Sequence, residues 1–362
     1  DSRMNQGLGL GLFAAGLSAA PLLAAAVELT PNARLHVDHA WHEADTRSLD
    51  DALIIRRAQF GLDGKVNETW SFEVTYDFAK VGAFKDVFLQ YKGWKSAAIK
   101  LGQFKVPFGL EELTSSNNIT FIERALPGDA FGLSRRAGIG FDRVGSRYTF
   151  SAMGFGDAID GDEGRGAGLR YTFTPVRTGD ALVHLGVAVI TERPQGEVKF
   201  NARPESRPSD TRFVNTGGLD DIRRVDRLGL EAAWQAGPLT AQAEWMRADA
   251  TRRSGPDASF DGWYVAGSWV LTGEVRRYRN GVFKAMPTGK PYGAWELALR
   301  YSEVELDDGQ VRGGREDNFS LGLNWYAHER WRLMADYISV RSERRGVPDN
   351  PAIVLVRVQF TL

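Results

Sequence analysis

Three side chains near the start of the chain have types that could bind a metal ion. His36, Asp38 and His42 are spaced by even numbers of residues, so on an extended strand they share one face. At strand rise, His36 and His42 lie about 20 Å apart, which is too far for both to reach one ion. The pattern therefore predicts a row of polar side chains facing an aqueous lumen, and no metal site.

Catalytic chemistry is also poorly supported. Covalent catalysis needs an activated nucleophile beside a base. The chain has no cysteine, and none of its five histidines stands in a recognisable nucleophile motif. The acidic run at 157–163 lacks the spacing of an EF-hand, which favours a solvated loop over a calcium site. We expect no catalytic residue and no cofactor, with a membrane-embedded lipid hydrolase kept as an alternative that a lipase assay would detect.

The elements that must position any site are strands of about ten residues separated by turns. In the run at 69–79, apolar and polar residues alternate strictly, which gives the strand one apolar and one polar face. The apolar face carries Trp70, Phe72, Val74, Tyr76 and Phe78. The polar face carries Ser71, Glu73, Thr75 and Asp77.

About sixteen such runs follow one another along the chain. They lie at 34–42, 53–63, 69–79, 85–92, 97–104, 137–143, 146–154, 167–174, 182–192, 226–236, 239–249, 260–271, 293–304, 316–326, 331–342 and 352–361. Tight turns mostly alternate with longer loops, near 105–136, 194–225 and 305–315. One connection, 272–292, is long and basic where the alternation requires a short turn.

An even number of strands with short turns at one rim and long loops at the other predicts a transmembrane antiparallel β-barrel. Closure follows because an open sheet edge in lipid would leave backbone groups unpaired. About sixteen strands leave an aqueous channel, whereas eight would be filled by side chains. The 10 Trp, 10 Tyr and 20 Phe among the 362 residues are numerous enough for interfacial girdles. The net charge of −1 argues against a nucleic-acid partner.

The N-terminal sequence predicts that the protein is exported from the cytoplasm. Residues 7–26 are apolar and rich in small side chains, and Ala24 and Ala26 fit a cleavage site. The alternative is a membrane-spanning helix, which Pro21 and the glycines disfavour. We predict a cleaved signal peptide over 1–26 and a single barrel domain over 27–362, integral to the bacterial outer membrane.

The segment after the fifth strand is long and mixes apolar anchors with polar tips, so it could fold inward and narrow the lumen. Its text, LGQFKVPFGLEELTSSNNITFIERAL at 101–126, resembles the third-loop region of the porin O and porin P family. IIRRAQFGLDG at 54–64 and LGLEAAWQAGPLTAQAEW at 228–245 match in the same order, as does GAWELALRY at 293–301. The resemblance implies a sixteen-stranded homotrimeric barrel. It also implies an arginine-lined path to a phosphate site where the third loop constricts each pore.

The resemblance also implies which residues bind the anion or shape its site at the constriction. They are Arg56, Arg57, Asp86, Ser115, Ser116 and Arg124. A looser match extends the funnel to Arg203, Arg207 and Arg212. Guanidinium forks suit phosphate oxygens, and hydroxyl groups add neutral hydrogen bonds that do not trap the ion. A solvated arginine ladder, and a turn or helix cap at the serine pair, remain alternatives.

Two features depart from a simple phosphate pore. Glu112 stands where phosphate-selective members of the family carry a loop lysine, so it would weaken the site unless it pairs with Arg124 or Arg57. Adjacent strand residues face opposite ways, so Arg57 is expected in the lumen, while Arg56 needs a β-bulge or a subunit interface.

The resulting prediction is a passive outer-membrane channel with anion preference. Its partners would be inorganic phosphate, polyphosphate or other small anions, a lipid and lipopolysaccharide bilayer, and two further copies of the chain. A general or sugar-admitting porin without phosphate specificity is the alternative.

Overall fold

The computed structural model describes residues 27–79, 83–161 and 163–362. Sixteen long antiparallel strands form one sheet. They are β1 Glu28–Glu43, β2 Ala52–Lys65, β3 Trp70–Asp77, β4 Ala83–Trp94, β5 Ala97–Lys105, β6 Arg135–Val144, β7 Tyr148–Phe155, β8 Gly164–Arg177, β9 Ala181–Pro194, β10 Ile222–Ala236, β11 Leu239–Arg252, β12 Ala258–Val270, β13 Ala294–Asp308, β14 Val311–His328, β15 Trp331–Arg344 and β16 Ala352–Thr361. The predicted signal peptide, 1–26, lies outside the described residues and stays a prediction.

The sheet closes on itself. β1 pairs with β2 on one side and with β16 on the other, in a register that places Arg34 opposite Thr361 and Glu43 opposite Ala352. A short strand, Val347–Asp349, extends the hairpin between β15 and β16. The predicted closed barrel of sixteen strands is confirmed.

Side-chain exposure alternates along the strands. On β14, Phe319 and Leu321 are exposed, whereas Ser320 and Asn324 between and beyond them are fully buried. On β10, Leu230 is exposed and Glu231 is buried. The apolar face is therefore the outer face of the barrel, as lipid contact requires. Among the described residues, no helix is long and apolar enough to cross a membrane.

The two rims of the barrel differ in their connections. At one rim, called here the short-turn rim, the turns have two to four residues. The exception is the connection 271–293, which is long, as the sequence predicts. The opposite rim is called the long-loop rim. The prediction of a long loop at 305–315 is wrong, because β13 and β14 continue to a two-residue turn at 309–310. Gly309 has φ 55°, the conformation that a tight hairpin turn needs, although the run of acidic residues and glycine suggests a loop.

Three connections fold back into the barrel and are called here the first (106–134), second (195–221) and third (271–293) inner segments. The first contains two short helices, α1 Leu110–Leu113 and α2 Leu126–Phe131. The second and third contain short strand pairs, at 201–202 with 214–215 and at 278–279 with 282–283.

Apolar side chains anchor the first two inner segments to the inner wall. Phe108 and Phe131 of the first segment pack in one buried cluster with Phe200 of the second and with Met246 and Phe260 of the barrel. Burying a side chain of this size contributes about 2 kcal/mol. The first inner segment is thereby held inside the lumen, as predicted for the third loop.

Candidate functional site

A cavity of about 440 Å³ lies between the first inner segment and the inner wall formed by β1 to β7. Its walls are unusually rich in charge. Seven basic residues line it, namely Arg34, Arg57, Lys100, Lys105, Arg124, Arg135 and Lys284. Four acidic residues line it as well: Glu73, Asp86, Glu112 and Asp142. Basic side chains in the walls outnumber acidic ones by three, so the cavity favours an anion.

Most of the predicted site residues meet in this cavity. Arg57, Ser115, Ser116 and Arg124 line it together with Asp86 and Glu112. They come from β2, from β4 and from the first inner segment, and only the inward fold of that segment brings them together. Arg56 does not line the cavity.

A β-bulge turns both members of the arginine pair inward. His36 of β1 lies opposite Arg57 and Val37 lies opposite Ile55, so Arg56 is the extra residue on β2. Arg56 Nε and Nη2 donate to the two carboxylate oxygens of Glu123 at 2.6 and 3.0 Å. Of the two explanations open for Arg56, the bulge is confirmed.

Arg57 is placed differently from its neighbour. Among the described residues, no carboxylate lies within 4.0 Å of its guanidinium group, and its buried Nε has no hydrogen-bond partner. Arg57 is therefore an unpaired cation aimed into the cavity, whereas Arg56 braces the first inner segment.

Glu112 is paired on two sides. Arg124 Nε lies 2.9 Å from Glu112 Oε2, and Lys105 Nζ lies 3.5 Å from Glu112 Oε1. Burial alone would raise the pKa of Glu112, but Arg124 and Lys105 outweigh burial and lower that pKa below its ordinary value. The carboxylate is thus ionised, and its charge is met by two cations of the cavity wall.

Arg124 also makes hydrogen bonds within the first inner segment. Its guanidinium group donates to the main-chain oxygens of Glu111, Glu112 and Thr114 at 3.1 to 3.2 Å. These bonds tie α1 to the irregular stretch before α2. Arg124 is therefore less free than Arg57 to bind a ligand, although both line the cavity.

The serine pair and Asp86 are also partnered. Arg34 Nη1 donates to Ser116 Oγ at 3.4 Å, and the Ser115 carbonyl accepts the amides of Asn118 and Ile119 in a turn. Asp86 binds the guanidinium group of Arg135 at 2.5 and 2.9 Å. The turn role considered for Ser115 is thus present beside its position in the cavity.

Five basic residues of the cavity were not identified from the sequence. Arg34 shares a strand face with His36, and Lys100 alternates with outward Leu101, so strand parity could have found both. Lys105 and Arg135 stand at strand ends, where parity is a weak guide. Lys284 comes from the third inner segment, and no sequence signal places that segment at this cavity.

Arg203, Arg207 and Arg212 lie in the second inner segment, and none of them lines this cavity. Arg207 pairs with Asp129 and lies 3.5 Å from Glu123. Arg203 pairs with Asp210 at 2.9 Å, and Arg212 donates to Asn201 at 2.6 Å. Arg207 therefore links the first two inner segments.

Buried ion pairs fix the second inner segment to the wall. Glu205 accepts Arg300 Nη2 at 2.6 Å and the Ser320 hydroxyl at 2.8 Å, and Arg300 Nη1 lies 3.3 Å from Glu111. Since each buried charge has an opposite partner, breaking one contact would leave a charge unpaired at high cost. The network holds the constriction in one geometry.

The third inner segment reaches the first from the opposite rim. Arg276 Nη1 donates to Thr120 Oγ1 at 2.6 Å, and its Nη2 donates to the Asn118 carbonyl. A second cavity, of about 720 Å³, lies beside this segment and is lined by Arg177, Arg277, Arg279 and Lys284 among others. None of the described residues in its wall is acidic. Lys284 lines both cavities, so positive charge continues from the constriction toward the short-turn rim.

The histidine row near the N-terminus is used for hydrogen bonding. His36 Nε2 lies 3.0 Å from Asn117 Oδ1, and Asp38 accepts Arg357 at 2.6 and 2.7 Å. Over the described ranges, no group of three or more histidine, aspartate or glutamate side chains is placed to hold a metal ion.

Comparisons with known proteins agree with this architecture. The model of the family described as phosphate-selective porin O and P matches residues 30–362. Porin O of Pseudomonas aeruginosa is 26% identical over 344 residues, which cover 81% of this chain and 78% of that protein. An uncharacterised protein of Caulobacter vibrioides is 28% identical over 319 residues, covering 80% of this chain and 63% of that protein. The anion-selective porin of Comamonas acidovorans has a similar fold, with a TM-score of 0.62 at 14% identity, covering 93% and 100% of the two chains.

Proposed function

We propose that this chain, which belongs to the phosphate-selective porin O and P family, conducts small anions through a constriction that prefers phosphate. As a member of that family it is a porin integral to the outer membrane. The observation that carries the proposal is the cavity at the first inner segment, where basic residues outnumber acidic ones by three. The solute moves down its own gradient, and the chain supplies only the path.

The chemistry of the wall suits an oxyanion of phosphate size. Arg57 offers several N–H donors from one planar group, and a guanidinium fork matches two phosphate oxygens at once. Ser115 and Ser116 line the same cavity and add hydroxyl groups. Charged and neutral donors together give a site that attracts the anion without holding it so firmly that conduction stops.

The carboxylates in the cavity wall weaken its attraction for an anion, but their ion pairs limit this effect. Glu112 and Asp86 each have a basic partner at ion-pair distance, so neither presents a bare negative charge to the passing ion. A second basic patch, at the third inner segment, would accept the anion as it leaves the constriction. A sequence of moderate sites is the arrangement that permits flux.

We expect a homotrimer, as implied by the family resemblance, seated in the lipid and lipopolysaccharide bilayer. We also expect no enzymatic activity, which a lipase assay of the purified protein would test. A general porin without phosphate specificity is the second candidate, favoured by the ion pairs that Glu112 makes with Arg124 and Lys105.

Single-channel recording separates these candidates. Purified protein is inserted into a planar bilayer in chloride solution, and inorganic phosphate is added at millimolar concentration. A phosphate-preferring pore loses chloride current as phosphate occupies the constriction. A general porin keeps its chloride current, and that outcome would reject the phosphate preference while leaving the porin assignment intact.

A further inference from the structure

Three neighbouring strands carry a group of arginines on the outside of the barrel, away from the conduction path. Arg165 on β8, Arg193 on β9 and Arg224 on β10 are exposed and share strand parity with the apolar outer residues. Each lies at the strand end next to the long-loop rim. Short turns in outer-membrane barrels face the periplasm, so this rim faces the outside of the cell.

The outward-facing residues of these strands change from apolar to basic at one height along the barrel. On β8, exposed Tyr171 and Leu169 are followed by Arg165, and on β9, exposed Val187 and Val189 are followed by Arg193. At strand rise the arginine lies about 13 Å beyond the last leucine or valine. The apolar belt therefore gives way to cations at the height where lipid headgroups begin.

The arginines crowd one another. Arg165 lies directly opposite Arg193 in the β8–β9 register. An open cleft of about 720 Å³ at this point is lined by Arg165, Arg193, Arg223, Arg224 and Arg253, with Gly164, Pro194 and Gln195. None of the described residues that line this cleft is acidic.

Among the described residues, a carboxylate lies at ion-pair distance from one of the five arginines. Arg224 lies 2.7 Å from Asp226. In the part of the chain that the structure describes, no carboxylate lies within 4.0 Å of the guanidinium groups of Arg165, Arg193, Arg223 or Arg253. Like charges facing each other across a strand pair destabilise a sheet, so an anion bound from outside the chain would stabilise this cluster.

We infer that this cleft binds the phosphate groups of lipopolysaccharide in the outer leaflet. A phosphorylated glycolipid fits this arrangement, because its acyl chains would cover the apolar belt while its phosphates reach the arginines. Guanidinium groups and phosphates form charge-assisted, bidentate hydrogen bonds. The site differs from the constriction, since its arginines project from the opposite face of the wall.

The direct test measures binding of lipid A to the purified, detergent-solubilised protein by thermophoresis. Lipid A with both phosphates is compared with the same lipid after phosphatase treatment. We expect the wild-type protein to bind the phosphorylated form at least about tenfold more tightly. Equal affinity for the two forms would overturn the inference, and this comparison needs no variant.

A double variant locates the site. Arg165→Gln with Arg193→Gln should remove most of the preference for phosphorylated lipid A. The matched control is Arg247→Gln, because Arg247 is also an exposed outer arginine but already pairs with Asp249 at 2.9 Å. Retention of the full preference by the double variant would overturn the inference.

Channel recording distinguishes lipid phosphate from free phosphate. The double variant should show wild-type conductance and wild-type block by inorganic phosphate. If the block weakens instead, the arginines belong to the conduction path and the lipid assignment is wrong. Failure of the proposed pore function leaves this test unaffected, because lipid A binding is measured without conduction.

Discussion

Arg124 Nε lies 2.9 Å from the carboxylate of Glu112, at the wall of the cavity that both residues line. The contact explains how a carboxylate can occupy a constriction that favours anions. Glu112 cancels part of the charge of Arg124 and Lys105 and at the same time holds both against α1. Its removal should therefore change selectivity more than it changes fold.

Glu112→Gln should strengthen phosphate block. The amide keeps the size of the side chain but frees the positive charge of Arg124 and Lys105, which should lower the half-blocking phosphate concentration about threefold to tenfold. The measurement is chloride current against phosphate concentration. Glu112→Lys should shift the block in the same direction, and an unchanged block in both variants would show that Glu112 does not tune the site.

Arg57→Gln should weaken phosphate block about tenfold, because the variant loses a cation that has no ion-pair partner within 4.0 Å among the described residues. Arg56→Gln is the matched control, since the adjacent arginine is already paired with Glu123. We expect the control to keep most of the block while lowering thermal stability. The assignment of the two arginines is wrong if Arg56→Gln removes the block and Arg57→Gln does not.

The barrel could be predicted from the sequence because strand alternation is local. All sixteen strands lie where the apolar and polar residues alternate. At Arg56, parity predicts either a β-bulge or a subunit interface, and the pairing of β1 with β2 shows the bulge. The cavity could be predicted only in part. Lys284 and Arg135 join Arg57 through tertiary packing that no local pattern encodes. Met246 and Phe260 are apolar residues on the inner face, where alternation predicts polar ones, because they receive the inner segments.

Glu123 should make stability depend on pH. Burial alone would raise the pKa of Glu123, but Arg56, Arg357 and Arg207 hold that pKa well below its ordinary value of 4.5. A depressed folded-state pKa contributes stability that is complete above the unfolded-state pKa and is lost as pH falls through the lower, folded-state pKa. Glu123→Gln should therefore be less stable than wild type by about 3 kcal/mol at pH 7.

Unfolding in detergent at pH 7, 5 and 3 checks this prediction. The difference between wild type and Glu123→Gln should persist at pH 5, because the group is still ionised in the folded protein, and should shrink only at lower pH. Glu329→Gln, on an exposed turn at 329–330, is the control and should leave stability unchanged at each pH. A difference that already disappears at pH 5 would contradict the depressed pKa.

Arg276→Gln should increase conductance. Arg276 joins the third inner segment to the first through Thr120 and Asn118, and loss of these bonds should let the third segment withdraw from the lumen. Arg279→Gln removes an exposed charge from the same segment without touching the first, and should leave the pore width unchanged. Single-channel conductance at saturating salt compares the two, since surface charge is then screened. Equal conductance in both variants would show that the contact does not set the width.

The central claim is that the net positive charge of the constriction decides which ions pass. The most direct measurement is the reversal potential of the purified channel in a planar bilayer across a tenfold potassium chloride gradient. We expect the reversal potential to have the sign of the chloride equilibrium potential. In the Arg57→Gln variant the reversal potential should move toward zero. A reversal potential of the sign set by potassium in the wild-type channel would contradict the claim.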